Sequence, residues 1–305
     1  MMAMLFPALQ LVAFLVLPPF LLGVIGRVKA RVAGREGPPL LQPWRDLARL
    51  AGKGAVYSRT TTWVFRAGPV VGLAAVLAAG LLMPLGAPSA AVVFAGDFAL
   101  LAYLLGLARF VTVLAALDTG SSFEGMGAAR EVTFSALAEP ALFLGLISLV
   151  RSTGGLDLTH LLGDGLAVAW RSDGPSLLLV ALSIFVVALA ENARIPVDDP
   201  TTHLELTMIH EVMVLDHSGP DLAMIQYGAA LKLYLFGALV VKVALGARFA
   251  DPAAAFAAFL AGQLAFAVAI GVVESTMARL RLVRVPQLLI GASVLSGFAL
   301  VLLLR

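Results

Sequence analysis

Apolar runs that are long enough to cross a lipid bilayer recur along the whole 305-residue chain, and they constrain its fold more than any other feature. A helix needs about 20 mainly apolar residues to span the hydrocarbon core, where backbone polar groups must be bonded internally. The alternation of apolar and polar residues that is typical of membrane β-barrels is absent from the sequence. We therefore predict an all-α integral membrane protein, a single polytopic domain over residues 1–305. Its eight predicted spans are 3–25, 64–84, 98–117, 132–150, 176–191, 222–245, 254–273 and 287–304.

The composition argues against a redox cofactor bound by this chain. The sequence has no cysteine, which excludes iron–sulfur ligation, thiol redox chemistry and disulfide bonds. Its four histidines lie outside the apolar runs, so a pair of histidines holding a haem within the membrane is not expected. His210-Glu211 begins like a zinc-protease motif, but Val214 stands where the second histidine is required. We predict no metal site and no cofactor bound by this chain.

Lysine and arginine are concentrated in the connections after the first and the seventh predicted spans. The positive-inside rule places such connections in the cytoplasm, so both termini are predicted to lie outside. The first apolar run lacks a basic leader region and a cleavage pattern, and we interpret it as an uncleaved span. Membrane orientation accounts for the net charge of +2, and no nucleic-acid partner is predicted.

The first cytoplasmic connection, 26–63, contains a candidate amphipathic helix. Gly37-Pro38-Pro39 is incompatible with a helix interior, because proline lacks a backbone donor and glycine is too free. After Pro43, Trp44, Leu47 and Leu50 recur at helical spacing with charged residues between them. This pattern predicts a short helix lying in the membrane interface. An ordinary solvated loop is the alternative.

Several charged residues fall inside or beside the predicted spans. A charge at the bilayer centre costs roughly 2.5–3.5 kcal/mol on insertion scales, so such residues must pair or line a polar path. Glu131 and Glu139, eight residues apart, would lie about 12 Å apart along a helix and within about 80° of one face. We predict a proton path, with purely structural ion pairing as the alternative. The predicted intramembrane charges besides Glu139 are Arg109, Lys232, Lys242 and Glu274.

The second cytoplasmic connection, 192–221, concentrates acids and histidines directly after an apolar run. Arg194 and Pro196 break from the preceding span, and a second short helix is predicted within THLELTMIHEV. Histidines in such a pocket suit proton transfer, because their ordinary pKa is close to neutral. A surface hydrogen-bonding loop is the alternative. The candidate proton-path residues are Glu131, Glu139, Glu191, Glu205, Glu211, His203 and His210.

Four segments, in order along the chain, resemble one known family. They are GREGPPLLQPWRDLARL, GAARE with the later AEP, ENARIPVDDPTTHLEL and MARLRL. The family is the membrane-anchor subunit shared by respiratory complex I, as its subunit 1, and by group 4 membrane-bound [NiFe] hydrogenases, including formate hydrogenlyase subunit 4. Arg130 and Glu139 match an arginine–glutamate pair of both branches. Glu191, Arg194, Pro196, Asp198 and Glu205 match the family's E-x-x-R-x-P-x-D core and the glutamate after it.

Three departures make the chain more similar to the hydrogenase branch than to complex I. Thr201-Thr202-His203 stands where complex I subunits usually have an acidic E-x-E run. Complex I subunits have Tyr-Ser-Gly where this chain, after a longer link, has Asp216-His217-Ser218-Gly219. They have an arginine where this chain has Glu274. The loss of part of the acidic run weakens any transfer of quinone-site roles from complex I.

The resemblance implies a non-catalytic platform in a bacterial or archaeal cytoplasmic (inner) membrane. Its partners would be hydrogenase-like large and small subunits, a ferredoxin-like iron–sulfur subunit, antiporter-like membrane subunits and lipid. The [NiFe] centre and the iron–sulfur clusters would belong to those partners, and the buried acids would begin a charge relay. The residues expected at the loops and the redox-module interface are Arg35, Gln42, Arg45, Asp46, Arg130, Arg194, Asp198, Asp199, Arg279 and Arg281.

Two other functions remain open from the sequence. One is a complex I-like enzyme in which the second cytoplasmic connection borders a chamber for quinone, which would then be a bound cofactor. The other is a stand-alone secondary transporter that uses the intramembrane charges to bind its substrate.

Overall fold

The computed structural model describes residues 2–86, 89–199, 208–246, 249 and 251–305, and within these ranges it is helical and contains no β-strand. The connections contain two 3₁₀ turns, at Glu211–Val214 and Leu282–Arg284. The α-helices of the described residues are α1 (Met2–Val32), α2 (Gln42–Ala51), α3 (Trp63–Leu82), α4 (Asp97–Asp118), α5 (Ser122–Thr153), α6 (Leu158–Leu161), α7 (Asp164–Glu191), α8 (Gly219–Leu245), α9 (Pro252–Thr276) and α10 (Val285–Leu303).

Eight of these helices are long and apolar enough to cross a membrane, which confirms the predicted fold class and makes this a multi-pass membrane protein. They are α1, α3, α4, α5, α7, α8, α9 and α10. Two helices begin well before their predicted spans, α5 at Ser122 and α7 at Asp164. In α7 the backbone leaves helical geometry at Asp173, two residues before Pro175. Proline removes a backbone donor and crowds the preceding turn, so hydropathy detected only the part after this kink.

The helix α8 provides the most buried surface of the bundle. Tyr234, Leu235 and Phe236 are almost fully buried, and α8 contacts α1, α2, α3, α7 and α9. Close packing elsewhere depends on small residues. A side chain at Gly80 of α3 would overlap the ring of Phe14 on α1.

The helix predicted after Pro43 is present as α2, and it lies against α1 and α8. Trp44 Nε1 donates a hydrogen bond of 3.1 Å to the Val16 carbonyl of α1. The Trp44 ring also lies 5.9 Å from the ring of Tyr227 on α8, measured between centroids. The hydroxyl of Tyr227 donates to the Leu15 carbonyl at 2.7 Å. One tryptophan therefore joins α2 to two membrane helices.

Hydrogen bonds between connections define two ends of the bundle. At one end the connections 33–62, 119–121 and 277–284 meet the described parts of a further connection, 192–199 and 208–218; we call this the polar end. There Val56 N donates to Ser218 Oγ at 3.0 Å, and Leu280 N donates to the Pro196 carbonyl at 2.9 Å. At the opposite end Gly96 N donates to the Leu156 carbonyl at 2.7 Å.

Candidate functional site

Four charged side chains from four helices form a continuous chain of ion pairs inside the bundle. Lys232 Nζ of α8 lies 2.9 Å from Glu191 Oε2 at the end of α7. The other oxygen of Glu191, Oε1, lies 3.0 Å from Arg109 Nη1 of α4. Arg109 Nη2 is 3.4 Å from Glu139 Oε1 of α5. We call these four residues the ion chain, in which positive and negative charges alternate.

The ion chain runs from the interior of the bundle to its lateral surface. The side chains of Glu191, Arg109 and Lys232 are only 5%, 9% and 13% exposed. Glu139, at the other end of the chain, is 51% exposed on the outer face of α5. Arg109 thus connects a buried carboxylate to one that reaches the surface, about midway along α5.

A cavity of about 90 Å³ lies beside the buried half of the ion chain. A single water needs roughly 10–15 Å³ of such volume, so the cavity has room for several waters. Arg109, Glu191 and Lys232 line it together with Glu131 and His210. Glu131 also lines a smaller space of about 10 Å³ that leads towards Asp198. Glu131 therefore lies between the ion chain and the polar end.

His210 forms part of the cavity wall on the side of the polar end. Burial lowers the pKa of His210, the positive charge of Lys232 lowers it further, and Asp198 and Glu211 act in the opposite direction. A neutral imidazole can accept a proton from the cavity or pass one on, which is the chemistry required at the entrance of a proton path.

A second group of ion pairs joins three elements at the polar end. The side chain of Glu274 on α9 is fully buried and lies 2.9 Å from Lys29 Nζ of α1. Arg194, just after α7, lies 3.3 Å from the other carboxylate oxygen. Glu274 therefore fastens the start of the α7–α8 connection to α1 and α9.

Asp198 fastens the same connection at a second point. Its Oδ1 lies 2.7 Å from Arg279 Nη2, and its Oδ2 accepts hydrogen bonds of 3.1 Å from both Ile209 N and His210 N. Arg130 Nη1 of α5 donates to the Met208 carbonyl at 2.9 Å. These contacts hold the described ends of the connection, 192–199 and 208–218, over the cavity.

The structure brings most of the predicted proton-path residues together. Glu131, Glu191 and His210 line one cavity with Arg109 and Lys232, and Glu139 extends the ion chain to the lateral surface. Glu205 and His203 lie outside the described residues. Lys242 is separate from this site, because it lines a different cavity at the opposite end of the bundle.

The second short helix predicted in THLELTMIHEV falls partly on residues 200–207, outside the described ranges. Over its last residues the prediction was wrong, because Glu211 begins a 3₁₀ turn and not a continuing α-helix. The physical reason is local. The backbone donors of Ile209 and His210 are taken by the Asp198 carboxylate, whereas an α-helix would direct them to preceding carbonyls.

The residues predicted for the module interface all belong to the polar end or its supports. Arg35, Arg45 and Arg281 are exposed there. Gln42 Nε2 donates to Asp46 Oδ1 at 2.9 Å within α2, and Asp199 N donates to Asp198 Oδ1 at 2.9 Å. The three arginines are therefore open to solvent, whereas Gln42, Asp46 and Asp199 make local hydrogen bonds.

Two buried contacts at the polar end are not predicted by the sequence. Because the predicted first span ends at residue 25, the sequence places Lys29 in the connection after it. In the structure α1 continues to Val32, and Lys29 forms an ion pair with Glu274. His217 is buried and stacks on Phe65 with ring centroids 3.9 Å apart. No local pattern marks either contact. Among the described residues no group of three or more acids and histidines is arranged to hold a metal ion.

Comparisons with known proteins agree with this architecture. The family model described as NADH dehydrogenase matches residues 5–305. Hydrogenase-4 component C of Escherichia coli (strain K12) is 32% identical over 240 residues, which cover 79% of this chain and 75% of that protein. Formate hydrogenlyase subunit 4 of the same organism is 29% identical over 300 residues, or 94% of each chain. In the structure of the membrane-bound sulfane sulfur reductase, an archaeal respiratory membrane complex, one chain superposes with a TM-score of 0.82 at 20% identity, covering 99% of this chain and 100% of that one.

Proposed function

This chain belongs to the NADH dehydrogenase family, of the complex I subunit 1 type, and from that premise we propose that it is the membrane-anchor and energy-coupling subunit of a group 4 [NiFe]-hydrogenase-like complex of the formate hydrogenlyase type. In this role the polar end seats the soluble redox module, and the ion chain links electron transfer to proton or ion translocation. The similarity to hydrogenase-4 component C and formate hydrogenlyase subunit 4 supports the hydrogenase branch.

The half-exposed Glu139 is the observation that carries the coupling role. A carboxylate at membrane depth is unfavourable against acyl chains, so the face of α5 around Glu139 requires a polar neighbour. A second membrane subunit with a polar group at this depth would supply it, as the antiporter-like partners would. The ion chain then continues from this subunit into the next.

Arg109 makes the ion chain responsive to the charge of Glu191. Its guanidinium keeps its charge at any physiological pH and is shared between Glu191 and Glu139. A proton that reaches Glu191 from the cavity weakens the first pair, and Arg109 then pairs more strongly with Glu139. Protonation of Glu191 beneath the redox module thereby changes the ion pair of Glu139 at the lateral surface without movement of a helix.

The platform role rests on the polar end. Exposed arginines there, among them Arg35, Arg45 and Arg281, give a soluble partner cationic contacts. The segment over the cavity is fastened at both of its described ends by Asp198, Arg194 and Arg130. Fixed residues at these two ends suit a surface against which a redox module docks.

Purification through a tag on this chain, in mild detergent, tests the platform role. We expect a large and a small hydrogenase-like subunit to co-elute, together with an iron–sulfur subunit and antiporter-like membrane subunits. A large subunit with two Cys-x-x-Cys pairs would identify [NiFe] chemistry. Elution of the chain without any soluble redox subunit, under conditions that preserve hydrogenase activity in the membrane, would contradict the proposal.

Substitution of Glu139 tests the coupling role. Glu139→Gln keeps the size of the side chain but removes its charge, so Arg109 loses its lateral partner. We expect normal assembly, with proton translocation reduced at least tenfold relative to electron transfer. Thr133→Ala, at another exposed position of α5, is the matched control and should leave coupling unchanged. Normal coupling in the Glu139→Gln complex would contradict the relay.

A quinone-linked, complex I-like function is the second candidate. The cavity below the polar end combines polar groups with the apolar side chains of Met213, Met224 and Ile225, as a quinone head group requires. Organic extraction of the purified complex decides between the two. Stoichiometric quinone together with a large subunit that lacks the metal-binding cysteines would favour the second candidate.

A further inference from the structure

A second cavity, of about 500 Å³, lies at the end of the bundle opposite to the polar end. It is formed where α5 and α8 end and where α7 and α9 begin, and Thr153, Asp164 and Pro252 are among the lining residues. Its volume lies within the range of about 300–1,000 Å³ that is usual for small-molecule sites. The function proposed above makes no use of it.

Lys242 brings a positive charge to this cavity. It lies in the last turn of α8 and is partly buried. Within the residues that the structure describes, Lys242 makes no ion pair within 4 Å and no side-chain hydrogen bond, and the negative charge of Asp164, which lines the same cavity, acts on it only from a longer distance. A partly buried ammonium group is unfavourable without an anion in direct contact, so a phosphate that reaches Nζ would stabilise it.

The rim of the cavity is apolar and exposed. Leu245 and Phe249 are 37% and 38% exposed, and the Phe259 side chain forms part of the wall. Four helices that are long and apolar enough to span the membrane, α5, α7, α8 and α9, have one end at this cavity, which places the rim at the level where headgroups meet acyl chains. A soluble anion would leave these side chains uncovered.

We propose that this cavity binds the headgroup of a phospholipid. Lys242 Nζ donates a charge-assisted hydrogen bond to the phosphate, and the acyl chains lie over Leu245 and Phe249. The site holds a structural lipid at the surface of the bundle opposite to the redox module. It is independent of the hydrogenase assignment, since any complex that contains this chain would retain the lipid.

Native mass spectrometry of the tagged complex, titrated with phosphatidylglycerol in mild detergent, tests the proposal. We expect wild-type complex to retain the lipid and Lys242→Gln to bind it about tenfold more weakly, the effect of losing roughly 1.4 kcal/mol. Lys242→Arg keeps the charge and should bind within a few-fold of wild type. Lys53→Gln removes an exposed lysine at the polar end and is the matched control.

Three outcomes would overturn the proposal. Equal lipid retention by wild-type and Lys242→Gln complexes would exclude Lys242 as the phosphate ligand. Displacement of the lipid by excess inorganic phosphate would identify a site for free anions. Lipid binding that appears only after a partner subunit is removed would show that protein covers the cavity. If Lys242→Gln fails to assemble, Phe249→Ala at the rim serves instead, and it should speed the release of phosphatidylglycerol.

Discussion

At the scale of single residues, Arg109 links the two carboxylates of the ion chain, one buried and one at the lateral surface. Glu191 contacts both Arg109 and Lys232, so one buried carboxylate neutralises parts of two cations. Glu139 accepts a hydrogen bond from the other terminal nitrogen of the guanidinium at the lateral surface. Loss of one partner from such a buried group leaves an uncompensated charge, and this is the physical basis of the proposed coupling between Glu191 and Glu139.

His217 makes the folded chain sensitive to acid. Burial lowers the pKa of His217, and Asp221 and Asp216 oppose this shift more weakly. Both ring nitrogens lack a hydrogen-bond partner among the described residues, so protonation would bury an unpaired charge. The unfolded chain binds that proton near the usual histidine pKa of about 6.5, and the folded chain binds it only at lower pH. Stability is therefore complete above about pH 6.5 and declines as the pH falls below that value.

Replacement of this histidine should reduce the acid sensitivity. His217→Phe keeps a ring stacked on Phe65 but has no group to protonate. We expect its melting temperature in detergent to fall less than that of wild type between about pH 7.5 and about pH 5.5, a range that brackets the usual histidine pKa. His210 contributes in the same direction, so some sensitivity should remain. Identical pH dependence in the two proteins would refute this account.

At the scale of elements, the sequence predicted what local patterns determine. The eight spans and α2 follow from hydropathy and helical periodicity, and all are present. The first half of α7 and the 3₁₀ turn at Glu211–Val214 were not predicted, because a proline kink and the Asp198 carboxylate determine them. The charged residues of the site are predicted from the free-energy cost of placing a charge in the membrane. Their pairing is not predicted, because it depends on which helices are neighbours in the bundle.

The docking of α2 should depend mainly on Trp44. Trp44→Ala removes a hydrogen bond to Val16 and the ring contact with Tyr227. We expect a loss of about 1–3 kcal/mol in the free energy of unfolding, from roughly equal hydrogen-bond and aromatic contributions. Trp63→Ala is the matched control, since the Trp63 side chain is 77% exposed and its removal should change little. Denaturant titration in detergent measures both, and equal losses would contradict the role given to Trp44.

At the scale of the whole molecule, charge and apolar surface are divided between the two ends. The polar end carries the exposed arginines, the fastened α7–α8 connection and the entrance to the ion chain. The opposite end has the cavity that contains Lys242. Under the proposed function the redox module docks at the polar end, so the orientation of the chain in the membrane would determine on which side electrons arrive.

The positive-inside rule predicts that the polar end faces the cytoplasm, and the absence of native cysteine makes this prediction easy to test. Lys53→Cys places a thiol at the polar end, and Leu156→Cys places one at the opposite end, where Leu156 is 57% exposed. With a membrane-impermeant maleimide, we expect intact spheroplasts to label Leu156→Cys, and Lys53→Cys to react only after permeabilisation. Leu149→Cys is the control for access, because Leu149 is fully buried and should stay unlabelled throughout. The reverse labelling pattern would place the redox module outside the cell, where a cytoplasmic electron donor could not reach it, and the proposed function would fail with the predicted orientation.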